Sequence, residues 1–163
     1  MFVKHRLARL FFLCMMSMSA TAHAEIDVQT QRIAHGVRVW YAPSSQVPVV
    51  DIQISFEGAG YASDPAGKEG RAALAAAMLT QGAGTLDALA FQRALDDGAL
   101  QLSAHVSADR LTIHLHALRE QAKRGGELLA MALAQPQLAE ADLTRIKTAM
   151  QAQLAQLEET PNY

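Results

Sequence analysis

The strongest constraint on the fold is an alternation. Val50, Ile52, Ile54 and Phe56 fall on one side of an extended chain, and Asp51, Gln53 and Ser55 fall on the other. A strand of this kind is stable only with its apolar side against other elements and its polar side in water. The same pattern returns twice, at Leu100, Leu102, Ala104 and Val106 and at Leu111, Ile113, Leu115 and Ala117. Ser107-Ala108-Asp109 between them reads as a hairpin turn. Earlier, Ile33 to Val37 reads as a tight turn at Gly36, followed by alternation at Val37, Val39 and Tyr41. Between these strands lie helical stretches. Glu69 to Gln81 is Ala-rich and stopped by Gly82-Ala83-Gly84. Thr85 is placed to cap the next helix, with Asp87 in its first turn and Gly98 at its end. Arg119 to Ala134 forms a third, ended by Gln135-Pro136. The last carries Leu143, Ile146, Met150, Leu154 and Leu157 as one stripe and stops at Thr160-Pro161. The order is two strands, a strand, two helices, two strands and two helices. It predicts an α+β fold: an antiparallel sheet with helices packed on one face.

Residues 1–24 stand apart. Lys4, Arg6 and Arg9 precede an apolar run from Leu10 to Met18, and small residues end at Ala22-His23-Ala24. This is the pattern of a cleavable secretory signal, with cleavage expected after Ala24 and export to the periplasm. The apolar run is too short to span a bilayer of about 30 Å. The single cysteine, Cys14, lies inside this leader, so residues 25–163 can hold neither a disulfide nor a thiolate metal site. Removing the leader's three basic residues from a total of 14 leaves 11 against 16 acidic ones, a net charge of −5. That sign excludes binding that relies on neutralising nucleic-acid phosphates.

Few residues offer chemistry. His114 and His116 share one side of a strand, with His105 across the hairpin. A three-His metal site is geometrically conceivable, but with Thr112 they read as the polar side of a half-exposed strand, because the sequence places no carboxylate near them to orient the rings. Asp96-Asp97 read as solvated acids at a helix end, and Glu57 and Asp64 as loop acids. Lys123-Arg124 beside Gly125-Gly126 lack the strand-to-helix turn of a phosphate cradle and read as a helix face with a weak spot. Trp40 reads as a half-buried strand residue.

The order and its punctuation resemble the N-terminal part of the M16 metallopeptidases, the family of pitrilysin, insulysin and the mitochondrial processing peptidase. His35-Gly36-Val37-Arg38-Val39 is similar to the family's opening hairpin, and Asp64-Pro65-Ala66-Gly67-Lys68-Glu69-Gly70 to the approach to its metal helix. Met78-Leu79 and Gly82 to Thr85 match the exit from that helix, with one extra residue. Gly98-Ala99 matches the start of the following hairpin, and Gln135-Pro136 and Arg145 match the later helices.

The family binds zinc through H-x-x-E-H on the first helix. Two His one turn apart ligate the ion and the Glu serves as general base. The resemblance places the first His at Ala73, the Glu at Ala76, the second His at Ala77, and the third ligand, a Glu on the last helix, at Gln153. None of these can do the work: alanine has no donor atom, and an amide oxygen is a poor, neutral ligand for Zn²⁺. A buried His or Glu without its ion would be unsatisfied, at about 1–3 kcal/mol each, and alanine removes that penalty while favouring helix. The resemblance therefore implies a chain with no zinc, no other cofactor and no peptidase activity.

Family members form clamshells from two lobes or subunits with one zinc site, and peptides bind by adding a strand to a sheet edge. The resemblance implies a scaffold subunit paired with a separate zinc-bearing M16 subunit. The alternatives are a binding or assembly module that reuses the fold without a peptidase partner, or a non-functional gene fragment. The chain stops at Asn162-Tyr163, soon after the third-ligand helix. Residues 25–163 are therefore expected to be an incomplete N-terminal lobe, with the C-terminal lobe absent.

Overall fold

The computed structural model describes residues 27–159. Residues 1–24, expected to be a leader and including Cys14, and the helix stop at Thr160-Pro161 lie outside the described residues. The chain divides into two units between Gln46 and Val47.

The first unit is a hairpin of β1 (Gln29–Arg32) and β2 (Arg38–Tyr41), paired antiparallel with Gln29 opposite Tyr41. Its turn needs positive φ at both His35 (61°) and Gly36 (79°), as sharp hairpin reversals do. Trp40 is 63% exposed rather than half-buried, and its ring lies under the Arg38 guanidinium at 5.4 Å. A four-residue strand pair offers too little apolar surface to enclose an indole.

The second unit holds β3 (Val49–Glu57), α1 (Arg71–Met78), α2 (Ala88–Asp97), β4 (Gln101–Val106), β5 (Arg110–Leu118), α3 (Ala122–Ala134) and α4 (Glu140–Glu159). The strands form one antiparallel sheet in the order β3-β5-β4. Register puts Ile52, Leu115 and Leu102 in one row and Ile54, Ile113 and Ala104 in the next, so the three apolar alternations share a face. Against that face pack Phe91 and Leu95 of α2 and Leu128, Leu129 and Ala132 of α3. Phe91 is fully enclosed. The opposite face is polar and open, as the alternation requires. The sheet is antiparallel with its helices on one side.

Three local expectations change. The first helix is shorter than Glu69–Gln81, because Gly70 at its N-terminus has φ +87° and the chain tightens into turns after Met78. Asp87 caps α2 in place of Thr85: its Oδ1 accepts the Ala90 N–H at 2.8 Å. Ala83 and Leu86 close a backbone turn on each other, which uses up the residues around Thr85. Gly125 is no weak spot. It is buried on α3 where a Cβ would come within 3.1 Å of Leu100 and Leu115, so the missing side chain lets helix and sheet approach closely.

Candidate functional site

α1 is the element on which the family resemblance places its chemistry, and the structure fastens it at both ends and packs it against β4 and α4. Its N-terminus is capped by Asp64, six residues earlier in the chain. Asp64 Oδ2 accepts the Gly70 N–H at 2.9 Å and Oδ1 accepts the Ala72 N–H at 3.0 Å. The carboxylate is 3% exposed, with the Arg71 guanidinium 3.8 Å away. A buried anion at a helix N-terminus meets both the free N–H groups and the helix dipole. Asp64 is thus a capping residue rather than a free loop acid, and Glu57 is the last residue of β3. Next to the cap, Glu69 Oε1 accepts the Gly67 N–H at 2.9 Å, which draws the Glu69 carboxyl below its usual range.

The loop that delivers Asp64 rests on the β4–β5 turn. The N–H groups of Gly58, Tyr61 and Ala62 donate to the carbonyls of Asp109, Ser107 and Ala108 at 2.7–3.0 Å. Gly60 lies so close that a Cβ would fall 2.3 Å from the Ala108 oxygen. That turn is itself fixed. Arg110 donates to Asp109 at 3.0 Å and the Ser107 hydroxyl at 2.8 Å, and together they bring the Asp109 carboxyl down to about 2.

At its other end α1 is stitched to the α3–α4 connection. Gly84 N–H donates to Gln135 O, Gln137 N–H to Gly82 O, and the Gln137 amide to Gly84 O, all at 2.8–2.9 Å. Arg145 of α4 donates to Gln81 Oε1 at 2.6 Å and to Asp142 at 2.9 Å. α1 also packs against α4 and against β4, which is an edge strand of its sheet.

Along this helix Ala73 and Ala77 are half-buried and Ala76 is 4% exposed. One turn apart, Ala73 and Ala77 lie on the same side. Gln153 sits in the exposed second half of α4. Among the described residues no buried side-chain polar atom lacks a partner, so none is left orphaned for an ion to satisfy. Methyl groups and one exposed amide do not fit the family's zinc.

The histidines give the second polar cluster. His114 and His116 project from β5 on the open face with His105 on β4. The sequence reading placed no carboxylate beside them. The fold does: β3 pairs Asp51 opposite His116, and Asp51 Oδ1 lies 2.6 Å from His116 Nδ1. Those residues are 65 apart in the chain, so only strand register could reveal the pair. Among the described residues no three His, Cys, Asp or Glu side chains converge as a metal cluster. Asp96 is exposed and accepts from Gln92 at 2.9 Å, and Lys123 and Arg124 are exposed on α3.

The model of the insulinase family, peptidase family M16, matches residues 38–163. A Helicobacter pylori protein described as "Non-peptidase homolog YmxG" is 31% identical over 145 residues, 89% of this chain and 32% of that protein. Among solved structures, a peptidase M16 inactive domain from Pseudomonas fluorescens superposes with a TM-score of 0.76 at 25% identity, covering 83% of this chain and 33% of that one. A Helicobacter pylori protease structure superposes with a TM-score of 0.71 at 16% identity, over 84% and 33% of the two chains. The chain thus spans about a third of the length of these relatives. Several of the residues that carry the resemblance also fasten α1: Asp64, the glycine turn after the helix, Gln135 and Arg145. The chain belongs to the insulinase family, peptidase family M16.

Proposed function

We propose that this chain is a non-catalytic M16 subunit, exported to the periplasm, that walls a peptide-binding chamber beside a separate zinc-bearing M16 subunit. One observation carries the reading: α1 keeps its cap, its two flanking loops and its Arg145 anchor, while the positions matched to the family's ligands and base are Ala73, Ala76, Ala77 and Gln153. The fastening of the helix is present while the ligand and base side chains are not, and this supports a scaffold role for α1. The names of the Helicobacter non-peptidase homolog and of the Pseudomonas inactive domain support the absence of peptidase chemistry. Among the described residues one side of β4, next to α1, is unpaired, and it is the sheet edge to which an extended peptide would add a strand. Residues 1–24 support export.

The test is co-expression with a candidate zinc-bearing M16 protein from the same genome, followed by co-purification and peptide cleavage. The expected result is no cleavage by this chain alone, even with zinc supplied, and a complex that cleaves peptides. Chelator-sensitive cleavage by the chain alone overturns the reading. Recovery with an unrelated partner, and no association with any M16 protein, favours a module that reuses the fold for binding or assembly.

A further inference from the structure

The open face of the sheet holds an arrangement that the proposed subunit role does not use. β5 presents His114 and His116 side by side on this face. Their Cα atoms are about 6.6 Å apart at the usual strand rise, with side chains parallel. Imidazoles so placed can turn their outer nitrogens toward one ion. The 2.6 Å contact between His116 Nδ1 and Asp51 Oδ1 adds the missing part. A carboxylate on Nδ1 orients the ring and leaves Nε2 free to ligate; metal-binding histidines are held this way. His105, opposite Thr112, is one register step from His114 and beyond direct reach of His116. Among the described residues Arg110 is the sole Lys or Arg on this face; it sits at the far end of β5 and is paired with Asp109.

We propose that His114 and His116 form a two-imidazole chelate for a late first-row divalent ion such as Ni²⁺, Cu²⁺ or Zn²⁺, with Asp51 orienting His116 and water completing the coordination. Imidazole donors suit these ions and not Mg²⁺ or Ca²⁺. Two protein ligands without a closed cage mean a weakly held, exchangeable ion. Such a site stands apart from α1, since it lies on the opposite face of the sheet from the helices.

The experiment is calorimetric titration of the untagged full chain with NiCl₂ and, separately, ZnCl₂. His114→Ala, His116→Ala, the double variant, Asp51→Asn and His105→Ala are titrated alongside, and circular dichroism confirms that each is folded. The expected result is one site, lost in the double variant. Asp51→Asn should weaken it by about 10–100-fold, and His105→Ala should leave it unchanged. Three outcomes overturn the proposal: no binding by the native chain, binding that survives in the double variant, or an affinity indifferent to Asp51→Asn. Survival in the double variant with chelator-sensitive cleavage would place metal elsewhere and also contradict the non-catalytic reading. Loss of the site without any cleavage leaves that reading intact.

Discussion

α1 and α4 both carry apolar side chains at helical spacing, yet the protein treats them differently. α1 has eight residues, which is too short to persist alone. It is capped by a buried carboxylate, tied at its far end through backbone bonds, and backed by β4 and α4. α4 has twenty residues, but only its first half is packed: Ile146 is 8% exposed and Met150 is half-buried. From Gln151 to Leu157 every side chain is exposed, and Leu154 and Leu157 are 61% and 64% exposed. The stripe expected to face a core does so only as far as there is surface to meet it. Spacing says which side of a helix would be buried; a facing element decides whether it is.

The largest test of this contrast removes a side chain from each helix. Met78→Ala on α1, where Met78 is 2% exposed, should cost about 2–5 kcal/mol through lost burial and the cavity left behind. Leu154→Ala and Leu157→Ala should each stay within about 0.5 kcal/mol, and urea unfolding midpoints compare all three. A tail substitution as damaging as Met78→Ala would mean that the end of α4 is covered in solution. Next in size, Asp64→Ala strips two N–H groups of their acceptor and should cost about 1–2 kcal/mol. Asp64→Asn, which keeps one oxygen, should lose less, and the same unfolding measurement ranks them. Arg145→Ala cuts the tie from α4 to Gln81 but removes a side chain that is 60% exposed, so about 1 kcal/mol or less is expected. Its clearer signature should be faster amide exchange at Thr80 and Gln81. The smallest effect concerns the turn beneath the approach to α1. Asp109 titrates at about 2 when folded against 3.8 normally. A depressed pKa stabilises the fold above the unfolded value, and that contribution disappears as pH falls from about 3.8 through about 2. Carboxyl NMR titration of Arg110→Ala should find Asp109 shifted back toward its ordinary value; an unchanged midpoint would show that Arg110 is not the cause.

Much of the site was legible in advance, for particular reasons. The three alternating strands fixed which side of each would be buried, and the 107–109 turn fixed the β4–β5 register. The motif around Asp64 was visible, but its purpose was not, because an acid seven residues before a helix becomes a cap only when the intervening loop folds back. Asp51 and His116 were both visible, yet nothing short of register across 65 residues could join them. Gly125 looked like a flaw in a helix until Leu100 and Leu115 were placed against it.

What the sequence alone determined is local: period-two and helical patterning, the breaks at glycine and proline, the absence of metal-binding atoms at Ala73, Ala76 and Ala77, and the leader-like residues 1–24. Each follows from the chemistry of one residue or of near neighbours. The tertiary structure decided what depends on two distant segments meeting: the Asp64 cap, the stitching of Gly82–Gly84 to Gln135–Gln137, the Asp51–His116 pair and the exposure of the end of α4. Short-range patterning states what a segment would bury, and only the packed chain supplies the surface, donor or acceptor that it meets.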